Sequence, residues 1–327
     1  MREQESSGPR PVRFRVDRSI TDLRLSRCVA GRLDGFSVRA AKDLIDRGRV
    51  FVDNRRITKA SVPVQEGQWI EVYPDQGSRG ARLQEEDILY DGKTLIAVNK
   101  PPGLLVYGTR GVTEETVLPQ LEAVLKSTGR WRAGKDSLVL VHRLDRDTSG
   151  VLLVARSGRS ASVLEKQFRE HKVEKRYLVL AKGRPRQERF RQVSVVRASR
   201  PRSGSRGSQN QQAAGRAGKA PREPTGITEF EVRETFPGCA LLEARPLTGR
   251  THQIRVHLAQ LGHPILGDIV YGPEKCPEPV LRAVPRQMLH ASFIGIESPD
   301  DGERLELTAP IPDDMNQVLG WLTQIET

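Results

Sequence analysis

Residues 139–156 read V-L-V-H-R-L-D-R-D-T-S-G-V-L-L-V-A-R, two apolar runs around a polar knot. Val139–Val141 and Val151–Ala155 are rich in Val and Leu and too short for helices, so they are expected to be buried strands. Between them, His142 to Gly150 packs two cations, two carboxylates and two hydroxyls into nine residues. Charges crowded between core strands cost free energy unless they are paired or used. A loop held at a sheet edge by two core strands is a common place for chemistry. The alternative is a charged turn in a meander, and the choice depends on whether other segments supply partners for Asp145 and Asp147.

The surrounding composition narrows the partner. The 327 residues include 53 Lys and Arg against 41 Asp and Glu, for a net charge of +12 and a pI near 9.9. Such a balance points to a polyanion. No apolar run approaches the roughly 18 residues of a spanning helix, and Met1 to Arg15 has no apolar signal core. Membrane and secretion drop out, nucleic acid leads, and a cytoplasmic location is expected. Cys28, Cys239 and Cys276 are odd in number and far apart, so neither a disulfide framework nor a zinc site is indicated. A monomer is the default expectation.

Outward from the central stretch, the pattern divides the chain. Residues 1–20 are expected to be a disordered basic tail. Residues 21–74 suggest a helix–helix–hairpin unit. Leu25, Cys28, Val29 and Leu33 recur at helical spacing, and Ser37 caps a second helix with Val38, Ala41, Leu44 and Ile45 inward. A strand at Val50–Val52, the turn pair Asp53-Asn54 and a strand at Trp69–Tyr73 complete it. Arg39, Lys42, Arg47 and Arg49 collect on this unit, suiting phosphate contacts.

Residues 75–84 read as a linker, and residues 85–327 as a larger domain with strands at 88–90, 95–98, 177–181, 229–233, 240–244, 289–297 and 305–308. Helices are expected at 117–125, from Ser160 as a cap to near His171, and from Thr251 to a Gly262 cap. Residues 183–226 are Arg-, Gly-, Ser- and Gln-rich and poor in apolar residues after Val196, so a low-complexity insertion is expected there. The fold class is α+β, with a mixed, mostly antiparallel sheet and no regular βα alternation.

The chemistry is that of side chains alone. Neither G-x-x-x-x-G-K-[ST] nor G-x-G-x-x-G occurs, and no Ser stands in a G-x-S-x-G elbow. His252 and His257 are five apart, a poor spacing for gripping a metal from one helix face. Arg250 and Arg255 stand near the start of a helix that follows a turn, where unpaired N–H groups also favour anions. Asp145 beside an Arg is a competent nucleophile or base once water is kept out. Tyr177, at a strand start, is either packing or a face on which a base stacks.

H-R-L-D-R-D-T-S-G (142–150) resembles the catalytic motif H-R-L-D-x-x-T-S-G of the RNA pseudouridine synthases that modify ribosomal and transfer RNA. Five other segments match that family in order: 99–106, 175–183, 247–258, 262–272 and 287–291. L-I-D-R-G-R-V-F-V-D-N-R-R-I (44–57) resembles the S-four-like RNA-binding domain. The chain departs from the pattern at Tyr107 and Ser298, where His is usual.

The resemblance implies an enzyme that isomerises uridine. The glycosidic bond to nitrogen breaks, the uracil turns, and carbon-5 bonds to the ribose. Asp145 would be the catalytic aspartate, Arg250 its ionic partner and Tyr177 the stacking residue. Arg143, Arg255 and the basic residues of the small unit would contact RNA. No cofactor or metal is implied. Ribosomal RNA is the expected partner, with transfer RNA the second candidate. A non-catalytic RNA-binding protein and a glycosidase using Asp145 and Asp147 are the competing readings.

Overall fold

The computed structural model describes residues 11–74, 81–108, 116–196, 225–273, 275–276 and 278–324. The expectations of disorder for 1–10 and for 199–224, and most of the proposed linker, lie outside these residues.

The N-terminal unit contains β1 (Val12–Arg15), α1 (Leu25–Arg32), α2 (Val38–Asp46), β2 (Val50–Val52), β3 (Arg55–Ile57) and β4 (Trp69–Val72). Ser37 caps α2 as expected, its side chain accepting from the Ala40 amide at 3.1 Å. Ala41, Leu44 and Ile45 are buried, but Val38, the first residue of the helix, is 49% exposed. The Asp53-Asn54 turn has positive φ at both residues, the geometry of a tight hairpin. The sheet order is β1-β4-β2-β3. Residues 12–15 are therefore not tail. They form β1, antiparallel to β4 in the register Val12↔Val72.

The larger part contains β5 (Ile88–Asp91), β6 (Leu95–Lys100), α3 (Val117–Ser127), β7 (Val139–Leu140), β8 (Ser149–Ala155), α4 (Gly158–Arg169), β9 (Glu174–Lys182) and β10 (Arg189–Val195). It continues with β11 (Thr225–Phe236), β12 (Cys239–Pro246), α5 (Gln253–Gln260), α6 (Pro279–Ala283), β13 (Leu289–Glu297), β14 (Arg304–Thr308) and α7 (Asp313–Gln324). Ten strands form one sheet in the order β10-β11-β12-β9-β13-β8-β6-β5, with β14 beside β13 and β7 beside β8. The sheet is mixed and mostly antiparallel, as its sequence pattern implies.

Three details correct that pattern. Ser157, not Ser160, caps α4. The front of the presumed insertion is β10, paired along its length with β11. The chain also continues past β14 into α7, whose Met315, Val318, Trp321 and Leu322 are buried.

The two apolar runs of the central stretch are β7 and β8, and β8 is buried throughout. β8 pairs with β6, whose Leu95 to Val98 are fully buried. Leu95, Ile96 and Val98 each contribute about 1.5–3 kcal/mol, so the polar knot hangs from a fully buried part of the sheet. Among the described strands of this sheet, the parallel pairing is that of β8 with β13, at Ser149↔His290 and Gly150↔Ala291. This explains the glycine that ends the knot. Gly150 has φ +111°, and a Cβ there would lie 2.2 Å from the Ala291 carbonyl oxygen.

Candidate active site

The knot is fixed mainly through its backbone. Lys100, fully buried at the end of β6, donates to the carbonyls of Pro101, Leu104 and Arg146 at 2.8, 3.0 and 2.8 Å. Burial pushes its ammonium down to about 7. Arg286 donates to the Asp147 carbonyl at 2.9 Å and to Ser149 Oγ at 3.2 Å. Its other bonds, to Asp314, tie α7 to the same loop. Gln287 donates to Thr148 Oγ1 at 2.9 Å. His142 turns inward, its Nε2 accepting the Leu153 amide at 2.8 Å and its ring stacked on Phe168. Burial, with the charge of Lys175, pushes it down to about 3, so it is a neutral structural imidazole.

With the loop held this way, Asp145 faces a cavity of about 550 Å³. Its Oδ2 accepts from Arg255 Nη1 at 2.9 Å. Arg255 in turn makes a bidentate pair with Asp268, Nε to Oδ2 at 2.7 Å and Nη2 to Oδ1 at 3.0 Å. Side-chain exposure falls along the series, 18% for Asp145, 6% for Arg255 and 0% for Asp268. Asp268 also accepts the amides of Val270 and Tyr271 at 2.8 and 3.0 Å. Burial alone would raise its carboxyl, but the bonds and charge of Arg255 outweigh that and hold it below its ordinary value. Asp268 anchors the guanidinium, which offers its remaining edge to Asp145.

Here the expected partner is corrected. Arg250 lies in the turn before α5, is exposed, and lines the cavity mouth, while its amide donates to Gln253 Oε1 at 3.0 Å. Arg255 is one helical turn further on, on a helix buried from Gln253 to Leu258, and points inward. Arg255 is thus the ion-pair partner and not a surface RNA contact.

Tyr177 lines the cavity on β9, between Ala244 of β12 and Ala291 of β13. Burial and the nearby charge of Asp145 raise its phenol, which stays neutral. Pattern reading does not single out Lys175, although its spacing of two from Tyr177 on a strand puts both on one face. Burial pushes Lys175 down to about 8. His252 faces the same space, its Nε2 3.7 Å from Asp145 Oδ1 and its Nδ1 2.9 Å from the Tyr271 hydroxyl.

Arg143 is exposed at the cavity, its guanidinium 5.9 Å from the Tyr107 ring. Arg39 and Lys42 are exposed, and Arg47 pairs with Asp43 at 3.0 Å. Arg49 is not on the surface. It is buried and donates to the carbonyls of Tyr73, Ala283 and Val284. Among the described residues, Asp145 is the one carboxylate lining the cavity. The Asp147 side chain is turned away onto Arg146 at 3.1 Å.

The mixed sheet thus presents a clamped aspartate, a neutral tyrosine and exposed arginines around one cavity. The model of the RNA pseudouridylate synthase family matches residues 94–260, and that of the S4 domain matches residues 35–70. The chain is 34% identical over 305 residues to a protein of Chloroflexus aurantiacus named "Uncharacterized RNA pseudouridine synthase", covering 91% of this chain and 90% of that one. It is 32% identical over 330 residues to ribosomal large subunit pseudouridine synthase C of Pasteurella multocida, covering 94% and 96%. A solved structure of human RNA pseudouridylate synthase domain containing 4 shares the fold, with a TM-score of 0.57 at 23% identity over 73% of this chain and 93% of that one. The chain belongs to the RNA pseudouridylate synthase family; it is an isomerase with an RNA-binding domain at its N-terminal end.

Proposed function

We propose that this protein converts uridines of ribosomal RNA to pseudouridine, with Asp145 as the catalytic residue and without a cofactor. The observation that carries the reading is the geometry around Asp145. It is the cavity's one carboxylate among the described residues, partly exposed, and oriented by a guanidinium that a buried second carboxylate already anchors. That arrangement suits a group that must reach a ribose or a base in a fixed direction. A glycosidase would need a second carboxylate across the substrate, and Asp147 does not line the cavity.

Tyr177 offers a neutral ring on which the uracil stacks after its glycosidic bond breaks. Taking the uridine out of its stack costs a few kcal/mol, and the exposed Arg143 and Arg250 at the cavity offset it through phosphate contacts. Every heavy atom of the base is retained in the product, and the ring nitrogen freed from the ribose takes up a proton. The new bond joins carbon-5 to the ribose, and the carbon-5 proton leaves. Ribosomal RNA of the large subunit is favoured over transfer RNA by the names of the relatives. The protein acts as a cytoplasmic monomer.

The test uses ribosomal and transfer RNA labelled with tritium at uridine carbon-5. Release of tritium from intact ribosomal RNA is expected. Binding without release from either RNA would overturn the reading in favour of a non-catalytic protein. Free uracil would favour a glycosidase.

A further inference from the structure

The segment from Asp268 to Gln287 is linked to the catalytic loop from both of its ends, through Arg255 at one and directly at the other. Asp268 holds Arg255, which holds Asp145. At the other end, Arg286 and Gln287 hold Asp147, Ser149 and Thr148. The small N-terminal unit packs against described residues of this strap. Arg56 donates to the Asp268 carbonyl at 3.2 Å, and the Cys276 amide donates to the Asn54 carbonyl at 3.1 Å. Glu71 pairs with Arg282, Nε to Oε2 at 2.8 Å, each side chain 6% exposed. Arg49 donates to Ala283 and Val284 at 3.1 and 3.0 Å.

Apolar packing makes the seat continuous. Phe51 and Tyr73 of the small unit share one buried cluster with Leu266, Leu281, Val284, Met288 and Trp321. The approach is close enough to exclude side chains. A Cβ on Gly48, at φ +69°, would lie 2.6 Å from Ile269 Cγ2. A unit whose sole task was to carry basic residues on a tether would need neither a shared core nor a buried ion pair, which must overcome its own desolvation cost.

We propose that the small RNA-binding unit is a structural part of the active site: seated on the 268–287 strap, it holds the Asp268–Arg255–Asp145 chain in its working geometry, with Arg56 and Arg49 as positioning residues. RNA held by the exposed Arg39 and Lys42 then lies on the same rigid body as the catalytic aspartate. The inference rests on Asp145 being the catalytic residue.

Because removing the unit would strip Phe51 and Tyr73 from the shared core, the test uses the full chain. Single-turnover and steady-state tritium release are measured for Arg56→Ala, Arg56→Lys, Glu71→Gln and Asp145→Asn, with thermal unfolding of each. Arg56→Ala is expected to lower kcat by about ten- to a hundredfold with KM little changed. Arg56→Lys, which keeps a charged donor, is expected to recover most of that loss. A purely RNA-contacting role would instead raise KM at constant kcat and overturn the proposal, as would wild-type kcat in both Arg56→Ala and Glu71→Gln. If Arg56→Ala fails to fold, Glu71→Gln decides, since it loosens the far end of the same seat. Turnover in Asp145→Asn would sink the site assignment itself. An inactive Asp145→Asn beside fully active Arg56→Ala and Glu71→Gln would sink only the coupling.

Discussion

Replacing each carboxylate that flanks Arg255 should separate chemistry from stability. In Asp145→Asn the guanidinium keeps its bidentate pair with Asp268, and the new amide oxygen still accepts from Nη1. No charge is stranded, so the cost is that of weakening one charge-assisted hydrogen bond at a partly exposed site, about 1 kcal/mol. In Asp268→Asn a buried cation loses the carboxylate that is itself 0% exposed, and the expected cost is about 3–5 kcal/mol.

The two variants should therefore rank oppositely. Asp145→Asn should have no turnover and near-wild-type stability, and Asp268→Asn should be markedly unstable with residual turnover. Urea unfolding followed by tryptophan fluorescence, alongside tritium release, measures both. Acid adds a check with a definite sign. The folded Asp268 carboxyl lies below its unfolded value, so its stabilisation is present above the unfolded value, about 4. It is lost as pH falls through the lower folded value. The stability gap between wild type and Asp268→Asn should shrink in that window. Equal destabilisation of the two variants at neutral pH, or turnover by Asp145→Asn, would refute the idea that Asp268 anchors and Asp145 reacts.

Gly150→Ala would place a Cβ 2.2 Å from the Ala291 carbonyl oxygen at positive φ, which should cost about 3 kcal/mol or more in urea unfolding; a variant of wild-type stability would show that the β8–β13 crossing gives way freely. Lys175 loses its proton in the folded state at about 8, well below its unfolded value, so the unfolded chain binds more protons between about 8 and 10.4 and stability should rise with pH there. Lys175→Met should flatten that rise, and an unchanged pH profile by chemical denaturation would count against a buried Lys175.

The polar knot was legible because its signal is local. Apolar runs with a period too short for helices, a dense charged loop and a terminal glycine lie within eighteen consecutive residues. The strands that frame it, the α2 cap at Ser37 and the hairpin turn at Asp53-Asn54 follow from rules of the same range. Asp145 lies within that stretch, whereas Tyr177 lies outside it and is brought to the same cavity by β9. β1 was not, because Val12–Arg15 is four residues long and half arginine, and gains its hydrogen bonds only from β4, more than fifty residues later. The signal for α7 was present in Met315, Val318 and Leu322, at helical spacing behind two acidic residues.

The partner of Asp145 is a different kind of question. Arg250 and Arg255 both stand near the start of α5, and residue type and charge do not distinguish them. α5 is buried from Gln253 through Leu258, so no amphipathic stripe in the sequence tells which arginine faces in. Packing against the sheet sets that rotation and brings in Asp268 to fix the guanidinium. Packing also takes Arg49 off the expected RNA face and makes it a clamp on residues 283 and 284. Periodicity and turn chemistry, carried by neighbours in sequence, determine the strands, the small helical unit and the aspartate. Which charges meet across a hundred or more residues, and whether the small unit is a tethered arm or a wall of the site, is decided by three-dimensional packing, because a buried cation goes where a carboxylate or a carbonyl can satisfy it.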